Sequence, residues 1–394
     1  MKQTDGISEK VKDQRELVVS IRRDLHQIPE VGFTEHETGK YVAQHLGNAG
    51  LQVKTRVADT GVVGLLDSGK PGPCLMIRAD MDALPIEEQT GLSFSSKNKG
   101  VMHACGHDAH MAMALAAADL LSKMTDQFIG SIKFVFQPAE EGLGGAIPMI
   151  EAGVMENPKV DHVVGFHVWP NLPSGTIGIK SGVLMAAGDR FDLTIKGSGG
   201  HGAMPHLCID ALEVGTQVVG ALQRLVSRQS NPLQPVVVTV GSFEAGTAFN
   251  VIAEEARLSG TTRTLDREIW RSWPNRMERI ISGVCESMGA QYDFSYQPGY
   301  PPLANDPAMT TAARECALTM LRPEGVLEPQ PTMGSEDMAF FLEKAPGCML
   351  FLGAGQPGGM PLHNPRFDFN EEIMSIGVEM YCRLALRLLA ANPA

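Results

Sequence analysis

Short apolar runs that suit β-strands alternate with helical stretches through the first half of the chain. A helix-like stretch at residues 109–121 lies between the second and third of these runs, and apolar spacing predicts two earlier helices at residues 8–27 and 37–49. This alternation favours an α/β sheet with helices packed on both of its faces. The strand-like runs are residues 62–66, 74–77, 132–136 and 163–168.

From about residue 184 the pattern becomes that of a smaller domain with the element order β-α-β-β-α-β, which is typical of a compact α+β sandwich. At 394 residues the chain is long enough for two domains. We expect a catalytic domain made of residues 1–183 and 301–394, with a strand at 348–352, interrupted by a smaller domain at 184–300. The predicted elements of the smaller domain are a strand at 190–196, a helix at 210–229, strands at 235–240 and 255–264, a helix at 268–288 and a strand at 291–296.

The charge balance argues against nucleic acid or an anionic membrane as a partner. The formal net charge is −12, and lysine and arginine are scattered rather than clustered. No apolar run is long enough to span a bilayer, and the N-terminus has no signal-peptide core, so a cytoplasmic location is expected. Seven cysteines in a chain of this length do not indicate a disulfide framework.

Polar residues gather just after the predicted strands. Residues 78–85 follow one strand, residues 137–142 follow another, His167 ends a third, and His363 lies downstream of the strand at 348–352. The carboxyl ends of strands in an open α/β sheet form the crevice where ligands bind. The sequence therefore predicts a site at this edge.

The densest polar segment is residues 103–110, His-Ala-Cys-Gly-His-Asp-Ala-His, which opens a predicted helix with Asp108 as its expected N-cap. Cys105 and His107 are separated by one glycine and can reach the same metal ion, because thiolate and imidazole both suit borderline divalent ions. Structural zinc sites normally use more than one cysteine, so a closed structural site is disfavoured.

Each of these residues alone has a more ordinary interpretation. His167 would be a hydrogen-bonded histidine, Cys105 a buried thiol, and Glu140 with Glu141 a solvated pair. Their combination in motifs of this kind favours a metal site instead. Adjacent glutamates suit such a site if one binds metal while the other takes a proton from the water that the metal activates.

These motifs resemble the amidohydrolase branch of the aminoacylase/carboxypeptidase-G metallopeptidase clan, which includes hippurate hydrolases, N-acyl-amino-acid deacylases and auxin-conjugate hydrolases. The resemblance runs from residues 23–30 to residues 363–369. It implies that Glu140 is the general base and acid, and that Asp80 orients a metal-bound histidine. It also implies two divalent ions, with Cys105 as the bridge, held by Cys105, His107, Glu141, His167 and His363.

The smaller domain resembles the lid and dimerisation domain of that clan. His201, in a glycine-rich segment, would stabilise the oxyanion, and a structural glycine turn is the alternative. Asn250 and Arg263 resemble lid residues that hold the substrate carbonyl and carboxylate; an arginine can bind a carboxylate through two hydrogen bonds. A homodimer is expected through this domain.

The implied reaction is hydrolysis of the amide bond of an N-acyl amino acid, such as an N-acetyl or N-benzoyl derivative. Two alternatives remain open: a dipeptidase of the same clan, and a non-catalytic binding protein that has kept the fold. Zinc, manganese, cobalt and nickel all fit the mixed ligand set. The sequence does not select the acyl group or the amino-acid side chain.

Overall fold

The computed structural model describes residues 6–142 and 144–391. Contacts between Cα atoms divide the chain into two compact units. Among the described residues, the larger unit comprises 6–182, 304–330 and 337–391, and the smaller unit comprises 183–303 and 331–336. The smaller unit is thus inserted into the sequence of the larger one.

The larger unit is a mixed α/β structure around an eight-stranded sheet with the strand order β1-β2-β4-β3-β5-β16-β6-β15. Its helices are α1 (Ile7–Asp13), α2 (Arg15–His26), α3 (His36–Asn48), α4 (His107–Ser122), α5 (Ala146–Glu151), α8 (Pro307–Met320), α9 (Ala339–Leu342) and α10 (Met374–Leu388). Its strands are β1 (Gln52–Val57), β2 (Gly61–Asp67), β3 (Cys74–Asp80), β4 (Ser131–Gln137), β5 (His162–Pro173), β6 (Ile177–Gly178), β15 (Val326–Leu327) and β16 (Gly347–Gly355).

The centre of this sheet is parallel: β3 pairs in parallel with both β4 and β5, and β5 pairs in parallel with β16. Every residue of β3 and β4 is buried, as expected for parallel strands covered on both faces. Helix α4 packs against β3 and contacts α2 and α10. It is rich in alanine and buried on almost all sides, so its amino end is fixed beside the carboxyl ends of the strands.

The smaller unit contains an antiparallel sheet with the order β10-β12-β8-β13 and two long helices. Burial in β8 alternates, so that Phe191, Leu193 and Ile195 contribute to a core that also contains Trp273. The elements are β8 (Ala187–Lys196), β9 (Gly200–His201), α6 (Ala211–Ser227), β10 (Val236–Ala245), β11 (Val251–Ile252), β12 (Glu255–Thr264), α7 (Arg267–Ser287) and β13 (Gln291–Tyr300). Strands β7 (Gly182–Met185) and β14 (Leu303–Asn305) lie where the chain passes between units.

The predicted fold class, an α/β domain with an inserted β-α-β-β-α-β domain, is confirmed. Three local predictions were wrong or incomplete. The helix expected at residues 8–27 is two helices, because the Gln14 amide donates to the carbonyl of Val11 and ends the first one. The edge strand β1 was not predicted. The N-cap of α4 is Gly106 rather than Asp108, which lies buried in the first turn.

No helix among residues 6–142 and 144–391 combines the length and apolar character needed to cross a membrane.

Candidate metal centre

The five residues expected to bind metal lie together in the larger unit. His167 lies in β5, two residues beyond Gly165, which is the last β5 residue paired with β3. Glu141 lies in the turn after β4, and His363 lies in the loop after β16. Cys105 and His107 flank Gly106, whose φ of 86° is in the left-handed region that favours glycine.

Donor atoms of these residues form two overlapping groups, in each of which every atom lies within 4.8 Å of the others. One group contains Cys105, His107 and His167, and the other contains Cys105, Glu141 and His363. Cys105 belongs to both groups. A thiolate at such a shared position is geometrically suited to bridge two ions.

The distances inside the cluster favour a cation between the groups. The Cys105 Sγ lies 3.5 Å from His167 Nε2, and Glu141 Oε1 lies 3.2 Å from His363 Nε2. His107 Nε2 is buried and has no hydrogen-bond partner among the described residues. Buried polar atoms normally have partners, so this atom fits a metal, and thiolate, imidazole and carboxylate are suitable ligands for a borderline divalent ion.

Both buried histidines of the cluster are oriented by a hydrogen bond from Nδ1 to a backbone carbonyl oxygen. The Nδ1 of His107 donates to the carbonyl oxygen of Asp82 at 2.9 Å, and the Nδ1 of His167 donates to the carbonyl oxygen of Val168 at 2.8 Å. Each bond leaves Nε2 without a proton in the neutral imidazole. Such an outer contact is what fixes the tautomer of a metal-binding histidine.

The electrostatics of the cluster also favour a bound cation. Burial, together with the Glu141 and Glu140 carboxylates, holds the pKa of the Cys105 thiol well above its ordinary value. Burial and the neighbouring His110 lower the pKa of His167 to about 3, which keeps its imidazole neutral. A divalent ion would favour the Cys105 thiolate by offsetting the repulsion from the two carboxylates.

Asp80 is fully buried, and its closest histidine is His110 rather than His107. Its Oδ1 lies 2.6 Å from His110 Nδ1, its Oδ2 accepts from Arg78 at 2.7 Å, and the same Oδ2 is 3.8 Å from His107 Nε2. Burial acts to raise the pKa of Asp80, but His107, His110 and Arg78 hold it well below the usual range. Asp80 was expected to orient a metal-bound histidine; at His107 the Nδ1 contact is made by the backbone carbonyl of Asp82, and Asp80 faces Nε2.

Arg78, in the carboxyl-terminal half of β3, is buried and donates hydrogen bonds to three side chains. Its guanidinium donates to Asp80, to Gln137 Oε1 at 2.8 Å and to Asp337 Oδ1 at 2.9 Å. Gln137 in turn donates to Asp337. This buried network joins the carboxyl ends of β3 and β4.

A second network lies behind the segment that contains Cys105 and His107. Asp108 accepts from Arg22 Nε at 3.0 Å and from His26 Nδ1 at 2.8 Å. Arg22 also donates to Asp368 at 2.8 Å, five residues after His363. The fully buried Arg22 therefore connects the two loops that carry metal candidates.

Among the residues around the site that were not identified from the sequence are Asp82, His110, Arg22 and Glu35, whose Oε1 accepts from the Ala139 amide in the turn before Glu140. Two of them had a usable signal. Asp82 lies two residues after Asp80 in the same motif, and His110 is one helical turn from His107, where side chains share a face. Arg22 and Glu35 are distant in sequence from the residues they contact, and no local pattern identifies them.

The remaining predicted residues lie in the smaller unit, where His201 and Asn250 are neighbours. Strand β9 pairs with β11 so that His201 opposes Val251, and the Gly202 amide donates to the Asn250 carbonyl at 2.8 Å. The Ala203 amide donates to His201 Nδ1 at 3.1 Å. A neutral His201 therefore carries its proton on the exposed Nε2, where it is available as a donor.

Arg263 lies in β12 and is half-buried. Its Nη1 donates to the Thr262 carbonyl at 3.0 Å and to the Thr261 hydroxyl. Burial lowers its pKa. A Cβ at Gly188 would lie 3.0 Å from this Nη1, so the absence of a side chain there leaves room for the guanidinium.

A cluster of thiol, imidazole and carboxylate groups at the carboxyl edge of an α/β sheet, buried except at Glu141 and the exposed His363, is the arrangement of a metallohydrolase. The chain belongs to peptidase family M20/M25/M40, whose family model matches residues 76–387. This confirms the resemblance inferred from the motifs.

Relatives and solved structures agree with this assignment. The chain is 48% identical over 289 residues to an N-acyl-L-amino acid amidohydrolase of Geobacillus stearothermophilus, covering 73% of this chain and 78% of the relative. It is 40% identical over 384 residues to thermostable carboxypeptidase 1 of Saccharolobus solfataricus, covering 96% of each. It is also similar to the crystal structure of a dinuclear metal-binding M20 peptidase from Bacillus subtilis, with a TM-score of 0.85 and 36% identity over 96% of this chain and 99% of the other.

Proposed function

We propose that the chain is a metal-dependent amidohydrolase that cleaves the amide bond of N-acyl amino acids. The observation that carries this proposal is the position of Cys105 in both groups of donor atoms, which provides a place for two ions. The names of the Geobacillus amidohydrolase and the Bacillus dinuclear peptidase support the same reaction. The residues that would hold the ions are Cys105, His107, Glu141, His167 and His363.

Glu140 is the proposed general base and acid. It is buried, and a carboxylate oxygen of Glu140 lies within 4.8 Å of donor atoms of His107 and Glu141. When bound, the two ions would polarise the scissile carbonyl and lower the pKa of water from about 15.7 towards about 7. Glu140 would take a proton from the attacking water and deliver it to the departing amine.

The smaller unit is proposed to act as a lid that binds the substrate. The exposed Nε2–H of His201 would donate to the oxyanion, and Asn250 would donate to the substrate carbonyl. Arg263 would bind the carboxylate of the amino acid. Asp189 is near enough to act on the charge of Arg263, but no described carboxylate forms an ion pair with the guanidinium, which supports this role. The orientation of a metal-bound histidine by Asp80 remains a proposal, for which Asp82 is the competing candidate.

A deacylation screen tests the substrate class. The purified chain would be reconstituted separately with zinc, manganese, cobalt and nickel and then incubated with N-acetyl, N-benzoyl and indole-acetyl amino acids. Hydrolysis of at least one series by a metal-loaded sample is expected. A chain that holds two ions and cleaves none of them would refute the proposal and favour a binding protein that has kept the fold.

The Glu140→Gln variant tests the base, because the amide keeps the shape of the side chain but cannot accept the proton. Turnover should fall by about 100- to 10,000-fold while metal content is retained. The metal content of the variant, measured by atomic emission, is the control. Turnover at the wild-type level would refute the role of Glu140.

A carboxypeptidase is the second candidate, because the archaeal relative is named as one. Its substrate has the same amide next to a free carboxylate, with a peptide in place of the acyl group. Comparison of N-benzoyl-glycine with N-blocked and free dipeptides separates these activities. A dipeptidase would prefer the free amine, which requires an acidic anchor in the pocket.

We also propose that the chain is a cytoplasmic homodimer that associates through the smaller unit. Large apolar side chains are exposed there, including Leu207 and Phe249, and exposed apolar groups of this kind mark interaction sites. All seven cysteines are free thiols, which suits a reducing compartment. Light scattering of the wild type and of a Phe249→Asp variant tests the dimer.

A further inference from the structure

The turn that presents Glu140 and Glu141 has an unusual backbone conformation. Ala139 has a φ of 54°, in the left-handed region that residues with a Cβ seldom adopt. Its carbonyl accepts from the amides of Gly144 and Gly145 at 2.9 and 3.1 Å. Because this conformation is unfavourable for alanine, hydrogen bonds donated by the backbone amides of the turn must also stabilise it.

Buried carboxylates occupy the amide side of this turn. The Ala139 amide donates to Glu35 Oε1 at 2.8 Å, and the Glu141 amide donates to Asp82 Oδ2 at 2.9 Å. Glu140 lies between these two anchored peptides. Its direction therefore depends on both carboxylates.

Glu35 is itself fixed by its surroundings. It is completely buried, and its Oε2 accepts from the Thr60 hydroxyl at 2.5 Å. Glu35 occupies the N-cap position of α3, yet its side chain does not cap that helix. The capping contacts come from Glu30, whose carboxylate accepts from the amides of Glu37 and Thr38 at 3.2 and 2.9 Å. The Glu35 carboxylate is thus directed to the Ala139 turn instead.

We propose that Glu35 is a positioning residue for catalysis, which holds Ala139 in its left-handed conformation and thereby directs Glu140 at the reacting atoms. This inference rests on the proposed function of Glu140. Glu35 belongs to none of the groups of donor atoms in the cluster, so it would act through the backbone of the turn. Its effect would appear in the rate of the chemical step, because a displacement of about 1 Å in a catalytic group costs roughly 100-fold.

Three variants separate positioning from helix stability. Glu35→Ala removes the acceptor, Glu35→Gln keeps an acceptor oxygen, and Glu30→Ala removes the contacts that cap α3. We expect Glu35→Ala to lower kcat by about 100-fold with KM and metal content unchanged. Glu35→Gln should recover most of the kcat that Glu35→Ala loses. Glu30→Ala should leave kcat within about twofold of the wild type while weakening helix α3. Equal losses of kcat in Glu35→Ala and Glu30→Ala would overturn the proposal.

A second background tests the conformational argument. Glycine adopts the left-handed region without the steric cost of alanine, so Ala139→Gly should make the turn less dependent on Glu35. The factor by which Glu35→Ala lowers kcat should therefore be several times smaller in the Ala139→Gly background. An unchanged loss would show that Glu35 acts by another route.

Hydrogen exchange provides a readout that does not require turnover. In the metal-free protein, the amides of residues 139–142 should exchange at least about tenfold faster in Glu35→Ala than in the wild type or in Glu30→Ala. If the wild type cleaves no acyl amino acid, the proposed function fails, but this exchange still decides the positioning role. Unchanged exchange in Glu35→Ala would overturn it.

Discussion

The metal candidates of the larger unit and the substrate-binding candidates of the smaller unit are held in different ways. His107 and His167 are buried, and each donates its Nδ1 proton to a backbone carbonyl. His201 and Asn250 are exposed, and their position is set by the pairing of two-residue strands. Deep burial with fixed hydrogen-bond partners pre-organises His107 and His167, whereas His201 and Asn250 are open to solvent.

This difference predicts two kinds of mutational effect. Substitutions around the buried cluster should change metal content or the free energy of unfolding, because they leave buried charges or donors without partners. Substitutions in the smaller unit should change substrate kinetics and leave both of those quantities unaltered. A substrate-binding candidate of the smaller unit whose substitution altered metal content would break the comparison.

The largest effect is expected from Cys105→Ala, which removes the shared donor. Bound metal should fall from two ions to one or none, and hydrolysis should fall by at least about 1000-fold, which corresponds to roughly 4 kcal/mol of transition-state stabilisation. Cys348→Ala is the matched control, since Cys348 is also buried but lies in β16 outside both donor groups. Two tightly bound ions in Cys105→Ala would exclude a bridging thiolate.

Arg22→Met should give the next largest effect. It leaves Asp108 and the partly exposed Asp368 without their shared cation, and breaking a buried ion pair from one side costs about 3–5 kcal/mol in the free energy of unfolding. Arg23→Gln is the control, because Arg23 is adjacent but largely exposed in its ion pair with Glu371, where about 0.5 kcal/mol is expected. Urea unfolding of both variants measures this difference in the free energy of unfolding. Similar losses in the two variants would contradict the prediction.

The sequence predicted the elements whose patterns are local. Strand β3 begins with the apolar run Cys74–Ile77, and β4 is apolar from Ile132 to Phe136 except at Lys133. The helices of the smaller unit begin after Asp210 and Asp266, whose side chains cap them. The break at Gln14 and the edge strand β1 have no comparable signal, because glutamine is not a helix breaker and β1 is mostly exposed. The positions of the ligands followed from motifs at strand ends. The residues behind them, such as Arg22 and Glu35, depend on contacts between distant segments.

The pH dependence of stability is a third test of the buried region. Burial disfavours the charged form of His26, but hydrogen bonds to Asp108 and Glu88 outweigh it and raise the pKa to about 9. A histidine whose pKa is higher in the folded state stabilises the protein below its unfolded pKa of about 6.5, and this contribution is lost as the pH rises through 9. The difference in unfolding free energy between the wild type and His26→Gln should therefore shrink by roughly 3 kcal/mol between pH 6 and pH 9.5. Urea titrations across this range measure it, and a constant difference would contradict the assigned ionisation.

The smallest effect is expected in the smaller unit, from Arg263→Ala. Loss of the guanidinium should raise KM about tenfold, equivalent to roughly 1.4 kcal/mol of substrate binding, with metal content unchanged. Arg257→Ala on the same strand is the control, because Arg257 is exposed and pairs with Glu255. Substrates whose carboxylate is replaced by an amide sharpen the test: they should bind poorly to the wild type and should lose little further affinity in Arg263→Ala. If Arg263→Ala affected both substrates equally, the arginine would not be the carboxylate anchor, and the contribution of the smaller unit to specificity would have to come from His201 and Asn250.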